Sequence, residues 1–153
     1  MATSTYYSKF VRRDSMAVGF RVKFYWYQVG TSDFLHCFFS TVCVCLERKK
    51  HGSKYPCIMK KLYHGKLDYT DIGSAIKELQ EIKSELKKYT PENVVWDIDD
   101  LSANPPWGNN ISHDITDLSV YFVTSDGEDL ITKLEKALEK AQSLKTSLLI
   151  ESI

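Results

Sequence analysis

Residues 17–30, AVGFRVKFYWYQVG, run directly into TSDFLHCFFSTV over residues 31–42, and the change of period between them is the signature of a strand followed by a helix. Val18, Phe20, Val22, Phe24 and Trp26 alternate with Gly19, Arg21, Lys23, Tyr25 and Tyr27, the two-residue period of a half-buried strand. A slip of one residue would exchange the Phe/Trp face for the Arg/Lys face, so the register is expected to be well specified. Arg21 and Lys23 beside aromatic rings imitate a nucleic-acid stacking surface, but three large rings of one parity demand burial, and a core face is the expectation. Gly30, Thr31, Ser32 and Asp33 then interrupt the strand and offer N-caps. Leu35, Phe38, Phe39, Val42 and Leu46 follow at helical spacing, which predicts a largely buried helix to about Arg48. The run Arg48-Lys49-Lys50-His51 would solvate its C-terminus, and Gly52 would close it.

Further along, residues 57–63 suggest a short helix ended by Gly65. Thr70 or Asp71 opens a stronger one, with Ile72, Ile76, Leu79, Ile82 and Leu86 on one stripe and Pro91 beyond its end. Residues 94–96 and 120–123 read as two short strands flanking a loop of about 20 residues, a length that in compact domains is usually functional. Ser125 and Glu128 fit a capping box for a last helix, whose Leu130, Leu134, Ala137, Leu138, Ala141 and Leu144 share one face. Residues 147–153, SLLIESI, would add a final strand at the sheet edge. The expected class is α+β: a single domain over residues 16–153, with a small, mainly antiparallel sheet packed by three to four amphipathic helices. Residues 1–15 show no period and read as a flexible extension, with Met16 an alternative start.

The 153 residues suit one core. Twenty Lys+Arg balance 20 Asp+Glu, so nothing global suggests nucleic acid or an anionic membrane as partner. The distribution is uneven. Residues 1–89 carry 16 basic and 8 acidic side chains, whereas residues 90–132 carry nine acids and no Lys or Arg. No run approaches the ~20 apolar residues of a membrane span. The opening residues lack the apolar centre of an export signal, so the cytoplasm is the expected compartment. There Cys37, Cys43, Cys45 and Cys57 read as reduced thiols; Cys43 and Cys45 would lie about 200° apart on a helix, unfit for one zinc ion.

The acid-rich segment, VVWDIDDLSANPPWGNNISHDITDLSVYFVTSDG over residues 94–127, invites two readings. In the first, Asp97, Asp99, Asp100, Asp114, Asp117 and His113 supply a divalent-metal or acid–base site, and a small metal-dependent hydrolase would use Asp97, Asp99, Asp114 and Asp117. Their spacing matches no known loop, and Asp in loops commonly caps or forms turns. Phosphate-binding glycine loops, GxSxG and HExxH are absent, and His36 on the buried helix reads as structural. The second reading is recognition. Pro105-Pro106-Trp107-Gly108 places a large ring in a stiff loop among acids, the makeup of an interface centre and rim. Asp97, Asp99, Asp100, Trp107, Asn109, Asp114 and Asp117 are then the expected partner-binding residues, with no catalytic residue, metal or cofactor. Trp107 folded back onto the core is the alternative for that ring.

AVGFRVKFYWYQVGTSDFLHCFFSTV, together with WDIDDLS, PPWG, DITDLS and YFVTSDG, resembles the immunity protein 70 family of bacterial polymorphic-toxin systems, over roughly residues 16–144. The resemblance implies a small cytoplasmic antitoxin, encoded beside a secreted toxin, that binds and blocks the toxin's C-terminal effector domain. It carries over no catalytic residue and does not identify the toxin's chemistry.

Overall fold

The computed structural model describes residues 16–153; the extension expected over residues 1–15 lies outside the described residues. Four strands, β1 (Ala17–Val22), β2 (Tyr25–Thr31), β3 (Lys66–Leu67) and β4 (Leu148–Ser152), form one sheet in the order β2-β1-β4-β3. Every pairing is antiparallel. Three long helices, α1 (Ser32–Leu46), α2 (Tyr69–Leu86) and α3 (Leu130–Leu144), complete the α+β architecture. Val18, Phe20, Val22, Leu148 and Ile150 turn into the core, while Arg21 and Glu151 pair at 3.2 Å on the outer face.

The expected single strand from Val18 to Trp26 is in fact a hairpin. Lys23 takes a left-handed φ of 51° and the chain reverses at Lys23 and Phe24. Reversal changes which residues share a face, because cross-strand partners lie on the same side. Trp26 sits opposite Arg21 and so joins the polar face, where the guanidinium packs 4.9 Å from its ring centroid; Phe24, at the tip, is 93% exposed. The alternation that looked continuous is two strands of opposite parity: the two-residue turn pairs Val22 with Tyr25, so the inner face passes from even-numbered residues on β1 to odd-numbered ones on β2. A bulge between Val18 and Gly19 lets Trp26 lie over the glycine, and a Cβ there would stand 2.6 Å from the indole.

Thr31 Oγ1 caps α1 by accepting from the Phe34 amide at 3.1 Å. The helix is apolar nearly all round and is buried accordingly, with Phe38, Phe39, Phe122 and Tyr63 meeting edge to face at 5.1–5.6 Å. Each fully buried ring contributes about 1.5–3 kcal/mol of transfer free energy. The turn after α1 is organised by Glu47 rather than by Gly52. Its carboxylate accepts from the amides of Gly52, Lys54 and Tyr55 at 2.8–3.1 Å, while Arg48 and Lys49 adopt left-handed backbones. The basic run therefore lies past the cap instead of within the last turn.

Cys57–Leu62 forms a π-helical turn, and Glu78 of α2 reaches across to accept from the Cys57 and Ile58 amides at its start. On α2 the buried stripe is Ile72, Ala75, Leu79, Ile82 and Leu86, with Ile76 at its margin. α2 and α3 pack against each other. The N-cap of α3 is Asp129, which accepts from Thr132, and not the expected capping box: Ser125 Oγ instead accepts from Gln28 of β2. β4 lies between β1 and β3, inside the sheet, where an edge position was expected.

Candidate partner-binding face

The two strands expected at the ends of the acidic segment do not form. Residues 93–98 run beside α1, whose own carbonyls and amides are already paired within the helix, so no ladder is available to them. Side chains of α1 do the work instead. Thr41 Oγ1 bonds both the amide and the carbonyl of Val95 at 3.0 and 3.2 Å, and Ser40 Oγ accepts from the Ile98 amide at 3.0 Å. One turn earlier, His36 Nε2 lies 3.0 Å from Asp97 Oδ1. At the far end, residues 118–120 form a 3-10 turn capped by Asp117, and Val123 makes only an isolated bridge with Asp129.

Between these anchors the chain passes through successive turns rather than a hidden helix. Local hydrogen bonds explain several of the acids. Asp97 Oδ1 also accepts from the Asp99 amide at 2.9 Å, Asp100 Oδ1 holds Ser102, and Asp117 Oδ1 accepts from the Ser119 amide at 2.8 Å. Asp99 and Asp114 have no such duty: both are exposed and, among the described residues, neither carboxylate is hydrogen-bonded or ion-paired. Asn109 is exposed as well.

Trp107 is half-buried. Its Nε1 donates to the Tyr121 hydroxyl at 2.7 Å, and its ring stands edge-on to Trp96 at 5.5 Å and to Phe34 at 6.5 Å. The indole thus braces the loop against the core. Burial raises the Tyr121 hydroxyl above its ordinary pKa, with the Trp107 bond opposing.

The described part of the basic first half places no ion pair on this loop. Lys61 pairs with Asp71 and Lys83 with Glu135, away from it. α3 takes up the segment's last acids: Lys133 holds Asp126, Lys136 approaches Glu128 at 3.9 Å, and Asp129 is the cap. Among the described residues no Lys or Arg lies within ion-pair distance of Glu92, Asp99, Asp100, Asp114 or Asp117. The result is a run of anionic side chains, exposed at Glu92, Asp99, Asp100 and Asp114 and half-buried at Asp117, with no cationic partner among the described residues.

Of the acids and His113 expected for a metal or acid–base site, Asp97 and Asp99 come together, but among the described residues Asp100, His113, Asp114 and Asp117 do not join them. The described donors that do converge are His36, Asp97 and Asp99, all within 4.8 Å of one another. One imidazole and two carboxylates are fewer than the four protein ligands of a structural zinc site and equal in number to those of a catalytic one, while Asp97 Oδ1 already lies against His36 and accepts from the Asp99 amide. All four cysteines are free. Burial pushes the Cys37 thiol up to about 12 and, with nearby Glu47 and Glu78 adding to it, Cys43 and Cys57 to about 11. These thiols stay protonated at neutral pH, the unreactive form.

A model of the immunity protein 70 family matches residues 20–150, nearly the whole described chain. The chain belongs to the immunity protein 70 family. Comparisons with curated proteins and with solved structures find no match. As a family member it is an immunity protein, whose partner is a toxin and whose expected role is inhibition rather than catalysis. Among the described residues no helix is long and apolar enough to cross a membrane.

His36, Ser40 and Thr41, which hold the loop's first limb, were not singled out as loop anchors from sequence. Their signal was present: three polar side chains at i, i+4 and i+5 on a helix otherwise filled by Phe, Leu, Val and Cys.

Proposed function

We propose that this immunity protein acts in the cytoplasm by binding the C-terminal effector domain of a secreted polymorphic toxin, through the loop spanning residues 97–117. The observation that carries the reading is the set of exposed carboxylates there that, among the described residues, have no Lys or Arg within ion-pair distance. Opposite charge across an interface accelerates encounter and rejects wrong partners, and an anionic loop suits a basic cleft such as the phosphate-binding surface of a nuclease. Asp99, Asp100, Asp114 and Asp117 supply charge, Asp97 and Trp107 hold the loop in shape, and Asn109 adds a neutral polar contact.

The test uses the effector domain encoded in the neighbouring reading frame. Asp99→Asn with Asp114→Asn removes two carboxylates that make no hydrogen bond or ion pair among the described residues, and should slow association about tenfold at low salt, with the difference closing as salt rises. Unchanged affinity and unchanged salt dependence would sink the acidic-face reading. The hydrolase alternative is supported only by the closeness of His36, Asp97 and Asp99. Calorimetric titration with Mg²⁺, Mn²⁺, Ca²⁺ and Zn²⁺ addresses it, and heats equal to dilution would remove it.

A further inference from the structure

Two cavities open on the acidic face, on either side of a wall made by Ile111 and Tyr121. The larger, ≈ 510 Å³, has Val94, Pro105 and the wall as apolar lining, with Glu92 and Asn109 as polar lining. The smaller, ≈ 290 Å³, is mostly apolar, lined by Phe34, Trp107, Ile115 and Val123. Among the described residues no Lys or Arg lines either one, and Glu92 is the one charged residue of their linings. Val123, at the mouth of the smaller cavity, leaves 45% of its surface in water.

These linings ask for different side chains. An anion entering the larger cavity would meet Glu92 and the uncompensated carboxylates of the same segment. A Lys or Arg side chain would lay its aliphatic stem on Val94 and Pro105 and bring its charge to Glu92, the division of apolar stem and polar head that such residues favour. The smaller cavity offers aromatic and branched aliphatic walls, which reward an apolar side chain. Because both share Ile111 and Tyr121, one extended segment can fill both, with alternate side chains entering neighbouring pockets.

We propose that the paired cavities are the recognition pockets for one extended toxin segment, receiving a Lys or Arg side chain in the larger and, two residues along, an aliphatic or aromatic side chain in the smaller. This rests on the reading that residues 97–117 face the toxin, and it names the chemistry of the segment that docks there.

Glu92 and Val123 are exposed, so substitutions there leave the core intact. Glu92→Lys and Val123→Glu are each expected to weaken binding of the effector domain by about tenfold or more in calorimetry, the loss typical of a pocketed anchor. Asn109→Trp, which fills the larger cavity from an exposed position, should do the same. Replacing the toxin's basic residues by Ala in turn should find one whose loss is non-additive with Glu92→Lys. If all three variants fold and bind as the wild type does, while Asp99→Asn with Asp114→Asn still weakens binding, the cavities are not the pockets and the acidic face stands without them. If the unaltered protein does not bind the effector domain, the functional reading fails and this proposal with it.

Discussion

At the scale of single residues, the loops depend on a few carboxylates whose hydrogen bonds reach backbone or one lysine. Glu47 holds the turn after α1 and Glu78 starts the π-helical turn. Asp126 secures the entry to α3: both its oxygens lie 2.6 Å from Lys133 Nζ, which also donates to the Gln28 carbonyl of β2. The Lys133 ammonium, helped by the Thr124 hydroxyl, holds the Asp126 carboxyl below its ordinary 3.8. A carboxyl that ionises more readily when folded stabilises the fold above the unfolded value and loses that contribution as pH falls through the folded one. Asp126→Asn should therefore cost about 1 kcal/mol in urea unfolding at pH 7, the low end for a charged bond because the carboxylate is 42% exposed. Wild type and variant should converge as the pH is lowered past the ordinary 3.8 and through the lower folded-state value. A gap that stays constant with pH would assign Asp126 a neutral role.

At the scale of elements, the β1–β2 hairpin shows a local choice at odds with stability. Tight hairpin turns favour Gly or Asn where φ is positive, yet this one uses Lys23 and leaves Phe24 in water. Lys23→Gly should raise stability by about 1 kcal/mol, seen as a thermal midpoint several degrees higher, since the Cβ penalty of the left-handed backbone disappears. An unchanged or lower midpoint would mean that Lys23 makes compensating interactions. The same hairpin explains the misread strand: period-2 alternation continues through a two-residue turn, so periodicity alone cannot see the reversal. In the acidic segment the failure was different. Val94-Val95-Trp96 has strand-like residues, but its neighbour is α1, and an extended chain beside a helix is held by side chains such as Thr41 and Ser40 instead of by a ladder.

At the scale of the whole molecule, the position of β4 decides how the domain closes. It bridges β1 and β3, with Leu148 and Ile150 fully buried. Deleting residues 148–153 should therefore abolish cooperative unfolding and most near-ultraviolet circular dichroism, whereas loss of an edge strand would be tolerated. A truncated chain with a sharp thermal transition would contradict the central placement. Charge is also settled at this scale. The net charge of zero conceals lysines that pair with acids of α2, of α3 and of the segment leading into α3, while among the described residues none pairs with the loop acids.

The sequence by itself determined the class of the fold, the three long helices, the capping stretch around Thr31 and the family, because periodicity, capping chemistry and long motifs are local properties. It also located the acid-rich segment and the two roles open to Trp107. Only the tertiary structure decided the rest. It showed Trp26 on the outer face, β4 inside the sheet, Trp107 bonded to Tyr121, and α1 supplying His36, Ser40 and Thr41 to hold the loop. Each of these depends on which distant residue becomes a neighbour. A hydrogen-bonding group is satisfied by whatever partner the packed chain brings within reach, and that partner leaves no trace in the local pattern.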